Sequence, residues 1–400
     1  MLNRKIHIVG TGCALADFLY AKVGFHAPGF QKYLSQRTGD GGLSPGKLVF
    51  TSELEAFARK PYFEILGEIV QGKGYHSVNL GGPSLVSMIH AAQLLPQELF
   101  EVSFYGCTGT DETATLIREK VAKTPLNCDN YITLSGKNTA FTHVLSDPAF
   151  DGGHGERTFI NNIGASWDYH PGLLPPLFFE ADLVCFGGTA LVPLLHDNLT
   201  NLLKNAKENN AITLVNTVFD FRNEKERPSE KWPLGNQSES FPLIDILIMD
   251  CEEALKISGT SSVHDAAGYF EKSGVGSFII TNGNQNLLAF SNGSLFSPMD
   301  VRCFPVSEEV GRQLRESPDR KGDTTGCGDN FAGGVIASLA VQFSSKQKGT
   351  LDFVEAISWG VASGGFTCFY LGGTWLEKTV GEKRGIIEPI QKKYLQQIGL

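Results

Sequence analysis

Between residues 181 and 283 the chain alternates short apolar runs with longer amphipathic ones. ADLVCFGG, AITLVNTVF, DILIMD and SFIITNG are the apolar runs. LLHDNLTNLLKNAKEN, CEEALKISG and SVHDAAGYFEKSG separate them and carry helical spacing. Strands alternating with helices predict parallel βαβ units with right-handed crossovers. Continuous apolar strands predict a sheet covered on both faces. KIHIVG (5–10) and EVSFYG (101–106) read as two further buried strands, and 62–71, 84–95 and 112–123 as helices.

Other segments break this rhythm. Residues 18–62 have mixed polarity and no sustained period, and read as irregular or exposed structure. NYITLSGKNTAFTHVLSDP and ERTFINNIG alternate with β-branched residues, as exposed antiparallel strands do. Together, about 18–62 and 130–163 predict a small β-sheet lid set apart from a core formed by the rest of one domain, 1–400. Two polar inserts, 223–241 and 307–322, read as surface loops.

Composition narrows the function. The 400 residues carry a formal charge of −9, which argues against a general nucleic-acid or membrane binder. The start, MLNRKIHIVG, resembles no signal peptide, and no stretch is long enough to span a membrane. Eight scattered cysteines without a CxxC pair fit reduced thiols in a cytoplasmic protein.

Three glycine-rich stretches invite a phosphate-site reading. GGLSPGKL (41–48) nearly spells a P-loop, but Leu48 stands where a magnesium-binding hydroxyl belongs and no apolar strand precedes it; an exposed turn is the better reading. GTGCAL (10–15) is half of a dinucleotide fingerprint, with Leu15 in place of the third glycine. Its glycines suit a sharp turn at the carboxyl edge of the sheet, and Asp17 beyond it is placed to bind ligand hydroxyls or to cap the next element.

The third stretch is GDTTGCGDNFAGG, 322–334, with five glycines before the apolar run VIASLAV. Gly326 and Gly328 flank Cys327 and let successive N–H groups converge. The unpaired N–H groups and dipole of the following helix point the same way, which makes an anion site. Asp329 as a plain N-cap would require neither flanking glycine nor the pair at 333–334. A carboxylate at that junction can instead take a proton from a ligand hydroxyl. A base beside an anion hole is what phosphoryl transfer needs, each hole donor contributing roughly 3 kcal/mol by analogy with acyl transfer.

DTTGCGDNF resembles the DTxGAGDxF signature of the ribokinase-like (PfkB) carbohydrate and nucleoside kinases. VGTGCALADFL, GGPSLVSMIHAAQLL, FYGCTGTDETATLIRE, GERTFINNIGA, ILIMDCEEALKISG and FIITNGNQN resemble further family motifs, in the family's order, over most of the chain. The resemblance implies a three-layer α/β/α core with a mostly parallel central sheet and a small β lid. It implies ATP as donor and Mg²⁺ bridging its phosphates. Asp329 would be the general base, and Gly326, Cys327 and Gly328 the anion hole. Asp17, Gly81 and Gly82 would touch the acceptor, with Cys13 and Val86 beside them. Thr281, Asn282 and Gly283 would lie along the nucleotide, with Val361 near its adenine. Asp250 and Glu253 would act near Mg²⁺ through water, and Asp323 and Thr325 match positions that in many members help hold a monovalent cation such as K⁺.

The departures concern the acceptor. Cys13 and Val86 replace two asparagines that commonly bond acceptor hydroxyls in sugar-phosphorylating members. Asp250, Asn286 and Val361 also depart from the family pattern. The expected function is ATP-dependent phosphorylation of a hydroxyl, primary by preference, on a sugar or sugar-like molecule. A nucleoside such as adenosine is the alternative, and a catalytically silent binding or regulatory protein is the rival from another class. A homodimer through the lid is compatible with the resemblance. Arg312, Arg315, Arg320 and Lys321, just before the anion loop, are either a phosphate clamp or a solvated charged loop paired with Glu308, Glu309, Glu316 and Asp319; the second is preferred.

Overall fold

A computed structural model describes residues 4–37, 39–153, 155–345 and 349–400. The strands in chain order are β1 Ile6–Gly12, β2 Leu15–Tyr20, β3 Leu48–Phe50, β4 Ser77–Gly81, β5 Phe100–Thr108, β6 Tyr131–Thr133 and β7 Phe141–Asp147. They continue as β8 Glu156–Asn162, β9 Leu183–Gly187, β10 Ile212–Asn216, β11 Ile246–Asp250, β12 Ser277–Thr281, β13 Leu287–Ser291 and β14 Met299–Phe304.

Nine of them form one sheet in the order β14-β13-β12-β11-β10-β9-β1-β5-β6. The run from β12 to β6 is parallel, and β13 and β14 close one edge as antiparallel strands. Alternate residues of the same strands feed two separate cores. Ile8, Cys185, Leu214, Ile248 and Ile279 pack under helices Pro83–Leu94, Cys327–Ser345, Phe353–Thr367 and Glu382–Gln397. Val9, Val184, Val215, Leu247 and Ile280 pack under helices Leu199–Glu208, Cys251–Ser258 and Val263–Lys272. Apolar residues on both sides of each strand are therefore a consequence of the layering.

The second sheet has the order β3-β8-β7-β2-β4. Its outer face carries Leu145 and Ile160, which join one core with Phe25, Phe30, Leu54, Ile65 and Ile69. The segment 18–62 is thus not irregular throughout. It folds into helices Pro28–Gln31 and Thr51–Ala58, which with Tyr62–Val70 cover the small sheet. Their apolar positions are too few per turn to make a period visible. Tyr131–Thr133 also differs from expectation: it pairs in parallel with β5, at the edge of the large sheet. β4 and the start of β2, outside 18–62 and 130–163, belong to the small sheet.

Neither polar insert is a bare surface loop. In 223–241, Trp232, Leu234 and Phe241 are buried anchors, and the Trp232 indole N–H donates to Glu224 at 2.9 Å. Trp232 also lies 4.6 Å edge-on from Phe219. Three anchors without periodicity leave the segment looking polar. In 307–322, Glu308–Glu316 is a helix capped by the Ser307 hydroxyl, with Val310 buried. No helix among the described residues is long and apolar enough to cross a membrane.

Candidate active site

The large sheet presents a row of strand ends. Register pairs Gly12 with Gly187, Gly187 with Asn216, and Asp250 with Thr281, so these residues line the carboxyl edge where open α/β sheets bind ligands. The anion loop enters this edge between helix Pro83–Leu94 and helix Phe353–Thr367. Gly326 is left-handed, at φ 76°, and a Cβ there would lie 2.6 Å from Gly373 Cα. The later glycines serve contact: a Cβ on Gly333 would meet the Ser87 carbonyl at 2.6 Å, and one on Gly334 the Trp359 carbonyl at 2.5 Å. The glycine pair is what lets helix Cys327–Ser345 pack so closely on both neighbours.

The loop is braced from behind. Asn330 Nδ2 donates to the Gly326 and Gly373 carbonyls, each at 2.8 Å. Buried Lys383 donates to Gln93 at 2.9 Å and to Asn330 at 3.4 Å. Cys327 N–H is spent on the Thr324 carbonyl at 3.3 Å, whereas Gly326 and Gly328 N–H find no acceptor among the described residues. Asp329 N–H likewise finds no acceptor among the described residues, so these amides are the donors left for an anion.

Asp329 stands at the start of this helix, with Asn216 beside it. Burial pushes its carboxyl up to about 7, and Asn216 opposes the shift. Asp17, on β2, is also pushed up to about 7, by burial first and then by the charges of Asp329 and Asp323; Thr142 and Arg157 oppose it. The charge of Asp329 acting on Asp17 places both carboxyls in one site. Gly81 lies against Asp17, since a Cβ there would fall 2.2 Å from its Oδ2, and Gly82 is the N-cap of helix Pro83–Leu94. Cys13 and Val86 are both buried; the Cys13 carbonyl caps that helix through Ser84 N–H at 3.1 Å.

Arg157, in the ERTF stretch of β8, reaches across from the small sheet. It donates to Asp323 Oδ2 at 2.9 Å and to Thr325 Oγ1. Asp323 Oδ1 accepts from Thr325 N–H at 3.0 Å. The side chains expected to help hold K⁺ are therefore engaged by a guanidinium.

Strand register extends the site over the small sheet. Asp17 pairs with Thr142, Thr142 with Asn161, and Asn161 with Phe50. On the same face, two residues on, lie Phe159 and Leu48, and Arg157 two further. Because Arg157 touches the anion loop, this is the face that looks onto the site. Asn161 Nδ2 donates to Thr142 Oγ1 at 2.9 Å, and Thr142 stands directly across from Asp17 on the neighbouring strand. Buried Asn161 Oδ1 has no partner among the described residues. The face thus pairs a polar row with the half-buried rings of Phe50 and Phe159. Phe50 also meets Phe221 of the large domain at 5.9 Å, and Lys225 pairs with Glu53.

Asp250 and Glu253 form a capping box on helix Cys251–Ser258, with Glu253 N–H donating to Asp250 at 2.8 Å. Burial and Asp250 push the Glu253 carboxyl up to about 8. No group of three His, Cys, Asp or Glu residues among the described ones could hold a metal by itself. That donor set fits an ion carried mainly by water and phosphate, as Mg²⁺ is, rather than an all-protein cage. Thr281 ends β12, and Asn282 and left-handed Gly283 form an exposed turn beside Asp250. Val361 is a buried residue of helix Phe353–Thr367. Two cations of the insert are engaged elsewhere: Arg312 pairs with Glu309 at 2.7 Å and with Glu316 at 2.5 Å, and Arg320 lies over Phe369. GGLSPGKL is a turn leading into β3, with Gly46 N–H bonded to the Arg157 carbonyl at 2.7 Å.

Arg157, Thr142, Asn161 and Asn216 were not singled out from sequence. The GERTF motif contained the signal for Arg157. The others depend on strand register, which no local pattern discloses.

A mostly parallel sheet covered on both faces, with a small sheet over its carboxyl edge and a glycine-rich anion loop, defines a ribokinase-like α/β kinase fold. The chain belongs to the PfkB family of carbohydrate kinases, whose model matches residues 62–378. An adenosine kinase of Schizosaccharomyces pombe is 26% identical over 310 residues, covering 72% of this chain and 83% of that protein. The solved adenosine kinase of Schistosoma mansoni in complex with 2-fluoroadenosine superposes with a TM-score of 0.68 at 18% identity, over 92% of this chain and 96% of that one. An E. coli structure assigned as a ribokinase II, in complex with ATP and Mg²⁺, gives 0.64 at 15% identity, over 98% of this chain and all (100%) of that one.

Proposed function

We propose that this protein is an ATP-dependent phosphotransferase whose acceptor is the primary hydroxyl of a nucleoside. The observation that carries the acceptor is the small-sheet face, where the Asp17–Thr142–Asn161 row adjoins Phe50 and Phe159. Polar groups in a row suit the hydroxyls of a ribosyl unit, and aromatic rings suit a flat base. The adenosine kinase likeness supports the same choice. A free sugar, the first expectation from sequence, would use the polar row and leave the rings without a partner.

In this reading the ionised Asp329 takes the proton of the hydroxyl as it attacks the terminal phosphorus. Gly326 and Gly328 N–H receive the charge developing on the transferred group. Arg157 holds Asp323 and Thr325, so the loop is ordered when the small sheet is closed over it, and the small sheet acts as the lid. Asp250 and Glu253 stand where the donor's Mg²⁺ would be held through water. That ion, when bound, would supply positive charge to offset that of the phosphates.

The test is ADP release over a panel of nucleosides and sugars with wild type and Asp329→Asn. Turnover on a nucleoside, lowered by about 10²–10⁴-fold in Asp329→Asn with ATP binding retained, is expected. Turnover on free sugars alone would overturn the acceptor. No phosphate transfer to any acceptor would overturn the kinase reading and leave the silent binding protein.

A further inference from the structure

Cys327 is the middle residue of the anion loop, and its thiol has a neighbour. Cys327 Sγ lies 3.8 Å from Cys368 Sγ, just past the end of helix Phe353–Thr367. The two segments are already held together by backbone bonds. Gly322 N–H donates to the Cys368 carbonyl at 2.8 Å, and Asp323 N–H to the Tyr370 carbonyl at 3.1 Å. A Cβ on Gly364 would lie 2.9 Å from the Cys327 carbonyl. Neither thiol is fully buried, in contrast to Cys13, Cys107 and Cys185. The hydrogen bond with Cys327 holds the Cys368 thiol below the usual cysteine range, helped by Lys321 and opposed by burial and Asp323.

We propose that Cys327 and Cys368 are a disulfide-forming modification site that takes a hydroperoxide as oxidant and switches off the anion loop. The Cys368 sulfur, as thiolate, attacks the peroxide, gains one oxygen and releases water or an alcohol. The Cys327 thiol then displaces that oxygen as a second water, and the S–S bond forms. Two thiols and one hydroperoxide give one disulfide, one water and one further water or alcohol. Bond formation brings the sulfurs to about 2.0 Å. Cys327 lies between the two glycines whose N–H groups are free, so drawing its side chain toward 368 moves both donors. Displacements of about 1 Å at such a site cost on the order of 10²-fold in rate. A thiol reductant reverses the bond.

The consequence for rate rests on the kinase reading above, but the disulfide does not. Folded protein is treated with hydrogen peroxide and its mass and non-reduced tryptic peptides are measured beside its kinase rate. The expected result is loss of two hydrogens, a link between the Cys327 and Cys368 peptides, and roughly a 10²-fold loss of rate, restored by dithiothreitol. Cys368→Ser should keep the basal rate and lose both the link and the sensitivity; Cys368→Ala replaces it if that variant does not fold. Absence of the 327–368 link, or a linked protein with unchanged rate, overturns the proposal. A link formed in a protein without phosphotransfer to any acceptor leaves the dithiol site standing and sinks the kinase reading instead.

Discussion

The anion loop and the acceptor face meet at one site, yet they are built differently. The loop is one continuous turn, held by Asn330, by Lys383 behind it and by helices packed so closely that Gly333 and Gly334 admit no side chain. The acceptor face is assembled from β2, β3, β7 and β8, each contributing a residue through register. A change in the loop disturbs backbone that several elements share. A change on the face swaps one side chain on a strand that keeps its ladder bonds. Under the proposed function, the comparison teaches that the reaction is rigidly specified, whereas the acceptor can be altered one residue at a time. Arg157 belongs to both, since it sits on β8 and holds the loop.

Four measurements break or sharpen that contrast. Asp329→Asn should lower kcat by about 10²–10⁴-fold, the range for a positioned base, while nucleotide affinity is kept. A loss below tenfold would remove Asp329 from the chemistry. Arg157→Ala should lower kcat by roughly 10–100-fold through loss of charge-assisted bonds to the loop, and Arg157→Lys should recover little of it because the forked geometry is gone. Asn161→Ala should raise the acceptor KM by about fivefold with kcat nearly unchanged, as expected for one neutral hydrogen bond. A kcat effect equal to that of Arg157→Ala would erase the distinction between loop and face.

The last measurement concerns stability rather than rate. Burial raises both Asp17 and Asp329 from their ordinary carboxylate range to about 7. Between about pH 4 and 7 the folded state binds more protons than the unfolded state, so stability is fullest in acid. It declines as pH rises through the folded values, by at most about 1.4 kcal/mol per pH unit for each proton released. Thermal melts of the ligand-free protein should show that decline, and Asp329→Asn should flatten it. A melt that steepens in Asp329→Asn would mean that its carboxyl is not the group responsible.

How much of this was legible depended on range along the chain. The anion loop was readable because its glycines, acid and helix are contiguous, and the parallel strands because each is a continuous apolar run. The cover of the small sheet was not readable: Phe30, Leu54 and Ile65 lie on three short helices, none long enough to show a period. The two inserts misled because their charges outnumber a few buried anchors, Trp232 and Val310 among them. Asn161 stayed invisible for another reason. In a strand, one residue of shift turns a side chain to the opposite face, and only the pairing with Thr142 decides which face it joins.

The buried indole of Trp232 offers a signal of its own. It touches Phe219, which lies 4.6 Å from Phe221, which in turn meets Phe50 on the small sheet. Its N–H faces the Glu224 carboxylate, and Lys256 sits 5.8 Å above the ring. Withdrawing Phe50 would loosen this aromatic chain at its far end and shift the field around the indole. Opening and closing of the cleft would then be visible in the chain's own fluorescence, with no label attached.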